Sequence, residues 1–273
     1  MGDNVYLPDI LAAMDAGDVA VSILSARGQM RYSMDIAAFA AAYPDRIIAA
    51  VSLKLDSMDR SEQGFLGGLA QQVGSGQFSA IAEMLLYHAE KHDDQGNPTA
   101  PEFKSDPSAE TTLAVVAAAE QLECPVFLHI EFVSLEQFYG SQERTRFMTE
   151  FEDLLTGNPD RAFVLTDVAE LYPSECRDLI EAYSNVCFTT NFLDLKLLMT
   201  GEPVVGYSET EWLTAFEEHP DRFVFALERV FENQWKNYAT DMEITQQWLA
   251  RLSAEAAGAI AYDNAARLWG ISS

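Results

Sequence analysis

Short apolar runs alternate along the chain with stretches of helical spacing. The clearest run is Val126-Phe127-Leu128-His129-Ile130-Glu131, where apolar residues lead into a histidine and, one residue on, a carboxylate. A parallel strand covered by helices on both faces reads as such a near-continuous apolar run. Comparable runs stand at Val19 to Leu24, Ile47 to Leu53, Ala80 to Leu86, Phe163 to Asp167, Asn185 to Asn191 and Phe223 to Glu228. Between them the spacing is helical. Leu7, Ile10, Leu11 and Met14 share one face; Ser33 is placed to cap a helix carrying Ile36, Phe39 and Ala40; and Glu62 to Val73 form a helix weakened by glycines. Asp106 and Pro107 suit the start of an alanine-rich helix to Leu122. Further helices are predicted near Phe147 to Leu155, from Ser174 to Tyr183, after a Ser208/Glu211 capping box, and over 232–270. Long loops are expected at 88–107, 132–144 and 192–207, each after a strand.

The tripeptide Pro-Asp-Arg recurs at Pro44, Pro159 and Pro220, each time between a helix and a strand. Proline stops the helix and aspartate suits the turn, so these are equivalent corners of a repeated unit. Strict alternation of strand and helix makes a parallel sheet, and units of this size predict a (β/α)₈ TIM barrel forming one domain over 1–273, with the helices of 232–270 packed on it. Seven strands are predicted, and because a helix comes first the absent strand is the first one. An incomplete barrel exposes unpaired backbone, so the gene product is expected to extend upstream of Met1.

Composition narrows the function classes. At 273 residues and 48% hydrophobic content the chain can bury a sizeable core. Its formal charge of −26, from 43 acidic against 17 basic residues, opposes binding to nucleic acid or anionic membrane. Cys124, Cys176 and Cys187 are too few and too scattered for a disulfide framework, and read as the reduced thiols of a cytoplasmic protein. No apolar run approaches the roughly 20 residues of a membrane span.

In a parallel barrel, polar side chains ending the strands converge at one mouth. The candidates are Glu83, His129, Glu131, Asp167, Asn191 and Glu228. Imidazole with two or three carboxylates is a plausible shell for Zn²⁺, Mn²⁺ or Fe²⁺, and a neighbouring carboxylate can serve as general base. Blander readings stand beside these: His129 as a hydrogen-bonded core residue, Glu83 paired with a rim arginine, Glu228 paired with Arg229, and His88 and His92 solvated in a loop with Asp93 and Asp94. His219 falls at a corner of the opposite face, and the cysteines are not read as nucleophiles, Cys124 preceding a proline at a strand start.

Several segments resemble the amidohydrolase-related branch of the metal-dependent TIM-barrel hydrolases. Leu128-His129-Ile130-Glu131 is similar to that family's fifth strand, and Ala80-Ile81-Ala82-Glu83 to its fourth. His219-Pro220-Asp221-Arg222-Phe223-Val224-Phe225 is similar to the approach to its last strand. Trp235 with Tyr238 resembles an aromatic pair that follows that strand, and Trp248-Leu249 and Ala261 to Leu268, with its Asn264-Ala265 pair, resemble the family's terminal helices. The resemblance implies a metal held by His129 and Glu83, with Asp167 standing where a histidine is usual and Glu228 where an aspartate ligand and proton carrier is usual. The His-X-His of the family's first strand has no counterpart from Met1 onward. The implied activity is a metal-dependent hydrolase, or related decarboxylase, acting on a C–N or C–O bond of a small molecule, with zinc as the expected metal, Asp167 and Glu228 as catalytic residues and a homodimer as the common assembly. The substituted positions keep a second reading open, a degenerate barrel that binds a ligand or partner without turnover.

Overall fold

The computed structural model describes residues 7–58, 61–93, 95–190, 209–229 and 232–271. Its parallel strands follow chain order. Strand β1 (Ser22–Leu24) pairs with β2 (Ile47–Val51) in the register Ser22 to Ile47, and β2 pairs with β3 (Ala80–Ile81). The chain breaks strand geometry at Ala82 and Glu83 and resumes as β4 (Met84–His88), which pairs with β5 (Val126–Ile130). Then β5 pairs with β6 (Phe163–Leu165), β6 with β7 (Val186–Thr190), and β7 with β8 (Phe223–Phe225). This is the predicted parallel α/β order. The strand predicted over Ala80 to Leu86 is two halves around a kink, and the kink carries Glu83.

Helices cover the sheet. They include α1 (Leu7–Ala16), α2 (Met30–Ala42), α3 (Glu62–Gly74), α4 (Glu110–Gln121), α5 (Phe132–Tyr139), α6 (Ser141–Gly157), α7 (Pro173–Ala182), α8 (Glu209–Glu218) and α9 (Tyr238–Leu249). Val126, Leu128, Phe163, Leu165, Phe188 and Phe223 are fully buried, as a doubly covered sheet demands. Near the C-terminus, Trp248 packs edge-on against Phe216 at 5.2 Å. The Asn264 amide donates to the carbonyls of Pro220 and Phe223 at 2.7 and 2.8 Å, holding the terminal helices to the start of β8. Helix α9 also reaches α1, so closely that a Cβ on Gly17 would lie 2.8 Å from Met242 Cγ.

The three Pro-Asp-Arg corners share one device. Arg46 donates to the Ala20 carbonyl at 2.8 Å, Arg161 to that of Cys124 at 3.3 Å, and Arg222 to that of Val186 at 3.4 Å. Each arginine, at the start of one strand, grips backbone at the start of the strand before it.

Four local expectations are corrected. Residues 132–144 are not a loop: Phe132 and Leu135 bury a helical face, and Gly140, at φ 85°, separates α5 from α6. The region 88–107 is partly ordered as short antiparallel strands, with Phe103–Lys104 pairing onto β4. Ser33 is not a cap, because α2 begins at Met30 and Ser33 is buried within it. Helix α4 begins at Glu110 after an Ala109 cap, and Asp106 serves it through its carbonyl, which accepts from the Thr112 hydroxyl at 3.0 Å. The predicted loop 192–207, Asn191 and Ser208 of the capping box lie outside the described residues.

Candidate metal centre

The site lies at the carboxyl ends of the strands, around one imidazole. His129, next to last in β5, is 8% exposed and engages both ring nitrogens. Nδ1 lies 3.0 Å from Glu83 Oε1 and 2.8 Å from Thr166 Oγ1, with Asp167 Oδ2 at 3.9 Å; Nε2 lies 3.1 Å from Glu131 Oε1. The three carboxylates come from three strand ends. The kink after β3 delivers Glu83, the end of β5 delivers Glu131, and a turn after β6 delivers Asp167.

That turn is unusual. Strand β6 stops at Leu165, two residues earlier than predicted, and Asp167, Val168, Ala169 and Glu170 all have positive φ, between 45° and 55°. Left-handed backbone costs a non-glycine residue roughly 1–2 kcal/mol, and more for the β-branched Val168. The surroundings hold the turn in place: Ser134 donates its N–H and hydroxyl to Glu170 at 2.8 and 3.1 Å, and Asp167 N–H points to Thr189 Oγ1 at 3.3 Å. The strain aims Asp167 back at His129.

Lysines balance the carboxylates. Lys54 Nζ donates to Glu83 Oε2 at 2.8 Å, and Lys91 Nζ to Glu131 Oε1 at 2.8 Å. The Ala89 N–H fixes the other Glu131 oxygen at 2.8 Å. His88 lies half-buried in the same group, its Nε2 3.9 Å from Glu131 Oε1 and its ring centroid 5.5 Å from that of His129. Burial opposes charge on His129, but hydrogen bonds to Glu131 and Glu83 and the field of Glu83 and Asp167 outweigh it and lift the imidazolium to about 10. For Glu131, burial is likewise outweighed by hydrogen bonds from His129, Lys91 and the Ala89 N–H, which bring the carboxyl down to about 2. Glu83 is held below the ordinary carboxylate range in the same way, by His129 and Lys54 against burial. Burial pushes His88 the other way, toward the neutral ring.

The structure thus brings together Glu83, His129, Glu131 and Asp167. Glu228 stands past the end of β8 with its side chain 60% exposed and 3.7 Å from Arg27, not the Arg229 expected from its position. His92 is exposed and pairs with Glu90. His88, read from sequence as solvated, is part of the cluster because β4 runs on to residue 88 and carries it alongside His129. Lys54, Lys91 and Thr166 had no signal of their own. Lysines beside acidic residues are everywhere in such a chain, and only the β2 and β4 ends show which two matter.

The donor set fits a divalent ion. Ligand atoms of a tetrahedral zinc site, with bonds of about 2.0–2.2 Å, lie roughly 3.3–3.6 Å apart. One atom each from His88, His129 and Glu131 already lies within 4.8 Å of the others. Two nitrogens and a carboxylate oxygen suit Zn²⁺, and Mn²⁺ or Fe²⁺ next.

No protein-family model and no curated protein matches the sequence. Solved structures do match. A TIM-barrel protein from Bordetella bronchiseptica aligns with TM-score 0.60 and 15% identity over 96% of this chain and 82% of its own. The 5-carboxyvanillate decarboxylase of Novosphingobium aromaticivorans, complexed with manganese and a nitrobenzoic acid, aligns with TM-score 0.56 and 14% identity over 95% and 79%. An amidohydrolase from Burkholderia multivorans with bound zinc aligns with TM-score 0.53 and 15% identity over 98% and 89%. At these identities the likeness is one of fold: the chain folds as a TIM barrel.

Proposed function

We propose that the protein is a metal-dependent hydrolase, or a related decarboxylase, acting on a C–N or C–O bond of a small molecule at the strand ends around His129. One observation carries this reading: a buried imidazole ringed by carboxylates from three strands at the barrel mouth. The zinc and manganese bound by structural neighbours support it. When bound, the ion would lower the pKa of its water to about 7.

The chain's own groups supply the rest. Glu83, held ionised by Lys54, orients the His129 ring through Nδ1. Asp167, 28% exposed with its Oδ2 3.9 Å from His129 Nδ1, is the carboxylate that takes or returns the proton. Glu228 with Arg27 is a rim pair facing the same mouth.

Metal analysis after reconstitution tests the reading. About one equivalent per chain is expected, with loss of both metal and turnover in His129→Asn; less than about a tenth of an equivalent would overturn it. A second reading, a barrel that binds its ligand without metal or turnover, is favoured by Lys54 and Lys91, whose ammonium groups already neutralise two of the carboxylates. Small-molecule binding that survives chelator would support that second reading.

A further inference from the structure

We infer that the metal sits on the Nε2 side of His129, held by His88, His129 and Glu131, with Glu83 the positioning partner of the ring and Lys91 a built-in cation that the metal displaces. The inference rests on the metal-dependent reading above and goes beyond it by choosing the ligands.

The two sides of the ring are unequal. Nδ1 is saturated, with Glu83 Oε1 at 3.0 Å and Thr166 Oγ1 at 2.8 Å. An imidazole whose one nitrogen is engaged by a carboxylate presents the other to a metal, and the carboxylate fixes tautomer and orientation. Glu83 is fastened for that task, because Lys54 holds its second oxygen at 2.8 Å. On the opposite side Glu131 is fastened through one oxygen by the Ala89 N–H at 2.8 Å. Its other oxygen lies 3.1 Å from His129 Nε2 and 3.9 Å from His88 Nε2. Glu131 Oε1 is thus near the spacing a shared ion requires of both nitrogens, and with all three donor atoms within 4.8 Å of one another, closing onto a metal asks for movements of about an ångström.

Lys91 is the cation now in place. Its Nζ touches the same Glu131 oxygen at 2.8 Å, while 43% of its side chain is exposed, so it can swing into water when an ion arrives. Two histidines and a glutamate leave a fourth position open for water or substrate, the arrangement of catalytic rather than structural zinc.

Calorimetric titration of the metal-free full chain with Zn²⁺, and the visible spectrum of the Co²⁺ form, test the assignment. Wild type is expected to bind one equivalent with a four-coordinate cobalt spectrum. His88→Ala and Glu131→Gln are expected to weaken binding at least about 100-fold, and Glu83→Gln about 10- to 100-fold without changing the ligand count. Lys91→Gln is expected to tighten it, by up to about fivefold for a partly exposed ion pair. His92→Ala, on the neighbouring exposed histidine, is expected to bind as wild type. Circular dichroism checks that each variant folds, and the gain in Lys91→Gln needs no destabilised protein to be seen. If wild type binds metal and His88→Ala binds it equally well, the ligand assignment is wrong and the hydrolase reading stands. If wild type binds none, both fall.

Discussion

Glu83 and Glu131 clamp opposite nitrogens of His129, and this has a pH consequence in the metal-free protein. The imidazolium is raised from 6.5 to about 10, so its contribution to stability is complete below pH 6.5 and disappears as pH rises through about 10. Glu131 is lowered from 4.5 to about 2, so its contribution is complete above pH 4.5 and disappears as pH falls toward 2. NMR titration of the His129 ring protons without metal is expected to show no midpoint between pH 6 and 8; a midpoint near the usual histidine value would show that the clamp does not form. How legible the site was follows from chemistry residue by residue. His129 and Asp167 were readable because each stands at or next to the end of an apolar run, and Glu83 because it is the one charged residue within another. His88 was not, because whether a strand runs two residues further depends on partners such as the Phe103–Lys104 strand, which sequence periodicity does not show. Thr166 and the two lysines become informative only once the folded chain shows what they face.

At the scale of elements, a buried amide secures the backbone just past the end of β2. Gln72 on α3 accepts from Ser52 N–H at 2.8 Å and donates to the Ser52 carbonyl at 2.9 Å, while the Ser33 hydroxyl donates to its Oε1 at 2.6 Å. All three residues are buried. Gln72→Ala leaves two backbone groups of Ser52 unpaired at the end of β2, and is expected to cost roughly 2–4 kcal/mol in a denaturant titration. Helix α4 offers the opposite change. Just past its Leu122 cap stands Glu123, exposed and held at φ 52°. Glu123→Gly removes a left-handed penalty and a negative charge at a helix C-terminus, so a gain of about 1 kcal/mol is expected, seen as a melting temperature about 2 °C higher. Elements with strong periodicity were foreseen, the seven strand rungs above all. The missed helix α5 has buried Phe132 and Leu135 but exposed Phe138 and Tyr139, a mixture that spacing alone does not separate from an aromatic loop.

Over the whole molecule, a formal charge of −26 means that folding brings like charges together. Shortening the Debye length from roughly 30 to 8 Å, with about 0.15 M salt in place of 0.01 M, is expected to raise the melting temperature by several degrees. No gain with salt would mean that local pairs such as Arg46 with Asp15 already offset the repulsion. Among the described residues no helix is long and apolar enough to cross a membrane. The corner arginines act at the face opposite the candidate site. Because each reaches from the start of its own strand to carbonyls at the start of the one before, a slip of the pairing by two residues, about 7 Å, would break its bond. They work as register marks, and a register mark matters most while the chain is still searching for its pairing. Pulse-labelled hydrogen exchange during refolding should therefore find amides at strand starts, such as Phe163, protected earlier than those at strand ends, such as Glu131. The closed end would zip first and hand a correctly phased sheet to the strained turn at Asp167, which then has only one way left to settle.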